Sequence, residues 1–105
     1  MKEYNIKLLE TAVDDLDEII LYIASENKNA AFTLKDEIIN KINELKKFPK
    51  FGRFVPEKQM REKGYRMLLV KSYLIFYRIL GDDIYIYRIL HGPRDYPNLF
   101  NSSSS

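Results

Sequence analysis

The alternation of apolar and polar positions near the start of the chain predicts a β-strand. Tyr4, Ile6 and Leu8 occupy every second position, which is the period of a half-buried strand. Apolar residues then recur at spacings of three and four and predict two amphipathic helices. The first spans about residues 12–25, and the second ends before Pro49. Two such helices joined by a short polar loop form an antiparallel helical hairpin.

Polar residues mark where these helices are expected to begin. Thr11 and Asn29 are the predicted N-caps, because their side-chain oxygens can accept hydrogen bonds from the first free backbone N–H groups. Asp14, Asp15 and Asp17 place negative charge in the first turns, which the helix dipole favours. The outward face of the hairpin is therefore expected to be acidic.

The second half of the chain has the composition of strands. Residues 49–64 mix Phe, Gly and Pro with basic residues and predict an irregular loop. Three runs rich in β-branched and aromatic residues follow, at about 65–70, 73–80 and 84–91. The predicted turns between them are Lys71-Ser72 and Asp82-Asp83. The order β-α-α-β-β-β predicts an α+β fold in which the helical hairpin packs against one face of an antiparallel sheet.

Length and composition limit the class of protein. The 105 residues suffice for one hydrophobic core, so we expect a single domain over residues 1–100. Residues 101–105, Asn-Ser-Ser-Ser-Ser, are expected to be a disordered or artificially added tail. The chain has no cysteine and one histidine, so we expect no metal and no cofactor. Without a signal peptide or an apolar run long enough to cross a bilayer, a cytoplasmic location is expected.

Charge is distributed unevenly along the chain. Residues 1–45 carry five Lys/Arg against ten Asp/Glu, whereas residues 46–105 carry twelve against five. A basic C-terminal half suits a polyanion or an acidic partner, although solvated surfaces can also drift in sign by chance.

The strand register decides which basic residues lie together. The expected cross-strand pairs are Leu80–Ile84, Arg78–Ile86, Phe76–Arg88 and Tyr73–His91. In this register Arg66, Arg78 and Arg88 share one face, where their forked donors would suit phosphate groups. Pairing of Arg78 and Arg88 with acidic helix residues is an equally good interpretation. Four more basic residues in the loop are candidates for binding RNA or ribosome backbone, or form a solvated face: Arg53, Lys58, Arg61 and Lys63.

A cluster of polar residues follows the last predicted strand. His91, the only histidine, precedes Gly92-Pro93, Arg94 and Asp95. A histidine beside arginine and tyrosine can transfer protons on a ribose phosphate while the arginine stabilises negative charge. The residue types alone favour a structural, hydrogen-bonding role for this histidine.

Several of these segments together resemble the RelE/ParE superfamily of type II toxin–antitoxin toxins, over nearly all of residues 3–96. The motifs that carry the resemblance are A-x-x-D-L-D-E-I-x-x-Y-I from Ala12 to Ile23, Phe48-Pro49, Tyr65-Arg66, Tyr73 to Arg78, and Ile89 to Asp95. The resemblance implies a toxin that arrests growth until a cognate antitoxin binds it in a hetero-oligomer. A degenerate or regulatory member that binds its antitoxin and DNA without strong toxicity is a third alternative.

Two mechanisms occur in this superfamily. RelE-like members cleave mRNA on the ribosome, and ParE-like members inhibit DNA gyrase without acting as enzymes. Leu74 stands where the nucleases commonly have Arg, and the preceding strand lacks their lysines, so the resemblance favours the ParE-like mechanism. In the nuclease alternative, Arg66 and Arg94 would contact phosphate, and His91 or Tyr96 would transfer protons. In either case the residues expected to bind target, nucleic acid or antitoxin are Arg78, Arg88, Arg53, Arg61 and Lys63.

Overall fold

The computed structural model describes residues 2–99, so the tail predicted at 101–105 lies outside the described residues. Its elements in chain order are β1 (Asn5–Leu8), α1 (Glu10–Ala24), α2 (Lys28–Glu44), β2 (Arg53–Phe54), α3 (Lys58–Glu62), β3 (Arg66–Val70), β4 (Tyr73–Leu80), β5 (Asp83–His91) and α4 (Gly92–Leu99). The predicted α+β fold and its order of β-α-α-β-β-β are confirmed, with β2, α3 and α4 as additions. No helix within residues 2–99 is long and apolar enough to cross a membrane.

The sheet is mixed, whereas the sequence predicted an antiparallel one. Its strand order is β1-β5-β4-β3-β2. The pairs among β2, β3, β4 and β5 are antiparallel, but β1 runs parallel to β5, with Asn5 beside Asp83 and Leu8 beside Ile86. Parallel neighbours cannot be joined by a tight turn and need a long connection. Between β1 and β5 the connection includes the helical hairpin and the other strands, so parallel pairing of these two strands is possible.

The two long helices cover one face of the sheet. Apolar side chains of α1 and α2 pack on those of β3, β4 and β5. The largest completely buried residues of this core are Ile38, Ile42, Leu45, Ile75, Tyr77, Ile84, Ile86 and Ile89. The helix starts differ slightly from those predicted. Asn27 rather than Asn29 caps α2, by accepting from Ala30 N at 3.0 Å, and α1 begins at Glu10, one residue before Thr11.

The segment predicted as an irregular loop covers part of the opposite face of the sheet. It contains β2 and the short helix α3, and its buried Val55 packs with Met67 and Phe76 of the sheet. Met60 and Tyr65 pack around this second, smaller cluster.

A β-bulge changes the register of the β4–β5 hairpin. Phe76 faces Arg88 and Tyr73 faces His91 as predicted, but beyond Phe76 the pairing shifts by one residue. The predicted pairs Arg78–Ile86 and Leu80–Ile84 are therefore wrong, and the observed pairs are Arg78–Tyr85 and Leu80–Asp83. Tyr87 is the extra residue, and the turn consists of Gly81 and Asp82, with Gly81 at a φ of +63°.

Candidate functional site

His91 lies at the junction between β5 and α4, where it caps the helix. Its Nδ1 accepts a hydrogen bond from Arg94 N at 3.1 Å. In return, Asp95 Oδ2 accepts one from His91 N at 3.0 Å. This reciprocal pattern resembles a capping box, with an imidazole in place of the usual hydroxyl and with the acidic residue four positions after the cap instead of three. Proline is tolerated at position 93 because backbone N–H groups in the first turn of a helix have no acceptor within the helix, so no hydrogen bond is lost.

The cap determines which tautomer the neutral imidazole adopts. Because Nδ1 accepts a hydrogen bond, the ring hydrogen of the neutral form is assigned to Nε2. The ring also packs edge-on against Tyr73, with the centroids 5.3 Å apart. In this arrangement neither ring nitrogen has a free lone pair with which to act as a general base.

Arg94 and Asp95 form an ion pair beside this cap. Arg94 Nε donates to Asp95 Oδ1 at 2.9 Å and Nη2 donates to Oδ2 at 3.2 Å. The pKa of Asp95 is lowered, chiefly by the hydrogen bond from Arg94, with a smaller contribution from His91 N and an opposing one from burial. The carboxylate is thus held ionised in its capping position.

A cleft of about 720 Å³ separates this junction from α1. Acidic and aromatic residues of α1 form one wall, and the end of β5 with the start of α4 forms the other. The lining residues that carry polar groups are Asp15, Glu18, Tyr22, Tyr73, Arg88, His91, Arg94 and Asp95. The cleft therefore holds proton-transfer groups and charges of both signs.

Arg88 reaches across the edge of the sheet to α1. Its Nε donates to Asp15 Oδ2 at 2.7 Å and its Nη2 donates to Oδ1 at 3.0 Å. The pKa of Arg88 is raised, first by this hydrogen bond. The sequence left open whether Arg88 belongs to a phosphate-binding face or pairs with an acidic helix residue, and the structure shows the pairing.

Side chains satisfy the part of the β5 edge that β1 leaves uncovered. Three backbone groups beyond Ile86 are bonded in this way. The bonds are Thr11 Oγ1 to Tyr87 O at 2.7 Å, Ile89 N to Asp15 Oδ2 at 2.9 Å and His91 N to Asp95 Oδ2 at 3.0 Å. Asp15 is the residue that sequence reasoning missed, since it was interpreted only as a dipole partner; its spacing of four from Thr11 was the available signal.

The three arginines expected on one face are not brought together. Arg66 pairs with Tyr77, which faces the helices, whereas Arg78 is the next residue on β4 and points to the other face. Arg66 Nη1 donates to Gly52 O at 2.7 Å, and its guanidinium lies 4.0 Å from the ring centroid of Phe54. Arg66 thus anchors the segment before β2.

Arg78 lies among tyrosines on the sheet face opposite the helices. Its cross-strand partner is Tyr85, and its guanidinium carbon is 5.0 Å from the ring centroid of Tyr65. Tyr87 packs edge-on against Tyr65 at 5.0 Å. Among the side chains of residues 2–96, Arg78 Nε is the buried polar atom found without a hydrogen-bond partner.

The remaining candidates are dispersed. Arg53 and Lys63 are exposed on β2 and at the end of α3, and Arg61 donates to Pro56 O at 2.8 Å. Tyr96 packs against the smaller apolar cluster.

The four residues of the nuclease alternative do not form one constellation. His91 and Arg94 are neighbours, but the register partners of Arg66 and His91, Tyr77 and Tyr73, stand four residues apart on β4, which is about 13 Å. Strand β4 also lies between β3, which carries Arg66, and β5, which carries His91.

Comparison with known proteins gives a consistent result. The family model described as "ParE toxin of type II toxin-antitoxin system, parDE" matches residues 6–96. Among solved structures, a chain of the "Chromosomal ParDE TA system from P. aeruginosa" is 23% identical, with 85% of this chain and 96% of that chain covered and a TM-score of 0.69. A chain of the toxin–antitoxin complex RelBE2 from Mycobacterium tuberculosis is 21% identical, with 85% and 98% covered and a TM-score of 0.56. The search of curated proteins gave no match. At these identities the two structures show a shared fold.

Proposed function

The chain belongs to the ParE toxin family of type II toxin–antitoxin systems, and from this membership we propose that it arrests growth by inhibiting DNA gyrase. A cognate antitoxin would neutralise it by binding to its surface. The toxin would act in the cytoplasm, where its target is found. The superfamily resemblance read from the sequence is confirmed by the family match, whereas target and partner are our proposals.

The engagement of the candidate side chains within the chain supports inhibition by binding rather than by chemistry. Arg66 binds backbone carbonyls, Arg88 binds Asp15, and Arg94 binds Asp95. His91 uses Nδ1 as a helix cap. A nuclease would need phosphate-binding cations and a proton acceptor free and close together. This internal pairing is the observation that carries the proposal.

The helical hairpin offers a surface for contact with a large protein target. Leu21 and Tyr22 on α1 and Phe32 on α2 expose 72%, 71% and 63% of their surfaces. Large apolar side chains exposed near one another often mark protein interaction sites. We propose that this hairpin surface takes part in binding gyrase.

A supercoiling assay with purified gyrase tests the target. We expect wild-type protein to inhibit supercoiling near stoichiometric amounts and the double variant Leu21→Ser/Tyr22→Ser to inhibit much less. The matched control is Lys28→Ser, an exposed change near the hairpin loop. Full supercoiling activity at stoichiometric wild-type protein would refute gyrase as the target.

The cleft at His91 keeps the RelE-like mRNA endonuclease as the second candidate function. It brings Tyr73, His91 and Arg94 together around a space of about 720 Å³. For this mechanism His91 would have to release Arg94 N to free a lone pair. Sequencing mRNA ends after expression distinguishes the two functions, because codon-phased cuts indicate the nuclease and an SOS response without such cuts indicates gyrase.

A further inference from the structure

Arg78 differs from the other arginines in what its guanidinium binds. The chain has six arginines, and four of them donate to acceptors within the chain. These four are Arg61, Arg66, Arg88 and Arg94. In the described part of the chain, Arg53 and Arg78 have no such acceptor, but Arg53 is exposed and can be hydrated. Arg78 is partly buried, and its Nε is shielded from water.

A buried donor without an acceptor is unusual and calls for a physical reason. Folded chains satisfy nearly all such atoms, because a lost hydrogen bond is not replaced by water. The surroundings of Arg78 supply ring faces: its guanidinium lies over the ring of Tyr65, its cross-strand partner is Tyr85, and Tyr87 packs against Tyr65. The rings favour the cation and exclude water from it.

The chain itself shows which ligand such a guanidinium takes. Arg88 and Arg94 both present the edge formed by Nε and Nη2 to an aspartate, with distances of 2.7 to 3.2 Å. This side-on geometry matches the two donors to the two oxygens of one planar carboxylate. The same edge of Arg78 is unused.

We propose that Arg78, together with Tyr65, Tyr85 and Tyr87, is a receptor for one carboxylate side chain of an acidic protein segment. The segment's carboxylate takes the Nε–Nη2 edge, and its neighbouring side chains lie on the tyrosine rings. Because Nε is shielded, a ring must move aside on binding. This inference rests on the proposed function in one respect, since the antitoxin is the partner expected to supply the segment.

The charge pattern favours a protein over a nucleic acid. A nucleic acid strand carries a charge at every phosphate and is bound by several cations that follow its backbone. Here the tyrosine cluster contains one cation, and Arg53, the other arginine without an acceptor, lies two strands away on β2. A single forked cation among rings fits a single carboxylate.

Nuclear magnetic resonance of the arginine Nε–H groups tests the site directly. The probes are N-acetylated pentaglutamate amide, the matching pentaglutamine peptide and the oligonucleotide hexauridylate. The Arg78 signal is assigned by its absence in Arg78→Lys, which keeps the charge but removes the fork. We expect saturable shifts of this signal with pentaglutamate and none with pentaglutamine. The dissociation constant should be on the order of millimolar, because one ion pair has to offset the displacement of a ring and the ordering of the peptide.

Two variants show whether the fork itself is needed. Arg78→Lys and Arg78→Gln should weaken pentaglutamate binding about fivefold or more, measured on the Tyr65 and Tyr85 backbone signals, whereas Arg53→Lys should not. Thermal unfolding of each variant checks that the fold is intact, and if one variant fails to fold, the other decides.

Several outcomes would overturn the carboxylate site. These are an unshifted Arg78 signal, equal affinity in the Arg78 variants, or a response to hexauridylate in place of pentaglutamate. The last result would assign the site to nucleic acid. Failure here is separable from failure of the proposed function, because gyrase inhibition without peptide binding contradicts only the site, and peptide binding without inhibition contradicts only the target.

Discussion

Gly52 lies so close to the ring of Tyr77 that its position has no room for a side chain. A Cβ atom built on Gly52 would lie 2.7 Å from Tyr77 Cε1 and 2.8 Å from Met67 O. The Gly52 N–H donates to the Tyr77 hydroxyl at 2.9 Å, and that hydroxyl donates to Pro49 O at 2.7 Å. One buried phenol thus fixes the chain between α2 and β2.

Replacing Gly52 with alanine should destabilise the fold. The added methyl group meets a backbone oxygen and a completely buried ring, so the segment before β2 has to move. We expect a loss of about 1–3 kcal/mol in the free energy of unfolding, measured with urea. The exposed neighbour Lys50→Ala is the control and should change it by less than about 0.5 kcal/mol. Equal stability of the two variants would contradict the close contact.

Removing the Tyr77 hydroxyl tests the hydrogen bonds themselves. Tyr77→Phe leaves Pro49 O and Gly52 N without their partner, and we expect a cost of about 1–3 kcal/mol at neutral pH. Thermal or urea unfolding of the variant measures this cost. A stability equal to that of wild type would mean that water replaces the hydroxyl.

The same hydroxyl should make stability depend on alkaline pH. Burial raises the pKa of Tyr77 above its ordinary value of 10.0, against a smaller lowering effect of the Gly52 N–H. The folded state therefore holds this proton more tightly than the unfolded chain. The stability that the protonated hydroxyl contributes is complete below about pH 10, and it is lost as the pH rises through the raised pKa of the folded state. The free energy of unfolding, measured from pH 8 to 11, should decrease less steeply with pH for Tyr77→Phe than for wild type.

A double-mutant cycle measures the pair that joins α1 to β5. Asp15→Asn keeps an acceptor for Ile89 N but removes the charge, and Arg88→Gln removes the guanidinium. We expect a coupling energy of about 1 kcal/mol that decreases in high salt, because the arginine end of the pair is partly exposed. Asp14→Asn, a neighbouring exposed carboxylate, should show no coupling with Arg88. A coupling energy near zero would show that this ion pair does not contribute to stability.

Two substitutions of His91 separate capping from chemistry. Asparagine can accept the Arg94 N–H as a cap, whereas alanine cannot. His91→Ala should lose about 1 kcal/mol of stability and His91→Asn little. On expression in cells, we expect growth arrest to be preserved in His91→Asn. A stable asparagine variant without toxicity would instead point to proton transfer by the imidazole.

Local patterns accounted for what the sequence predicted correctly. Periodicity predicted both helices and the three strands after residue 64, because each depends on neighbours along the chain. The bulge escaped prediction, although the apolar spacing does change from two to three between Ile86 and Ile89. The role of Gly52 was not predictable, because its partner Tyr77 is 25 residues away.

The site was predictable in position but not in arrangement. The segment from His91 to Asp95 does form a polar junction, as the loss of the strand pattern indicated. Its use as a helix cap depends on side chains turning back onto their own backbone, which residue types do not reveal. The shared face of three arginines failed for a different reason, since one register step moves a side chain to the other face.

The parallel pairing of β1 with β5 also sets the order in which the molecule can be completed during synthesis. Asn5 finds its neighbour only when Asp83 is available. At about 5–20 residues per second, roughly 4–16 seconds separate the synthesis of these two positions. Until then the first strand has no partner in the sheet, and His91 and Arg88 have not been made. The nascent chain therefore cannot form its cleft until residues 88–95 have been synthesised, because these residues supply one of its walls.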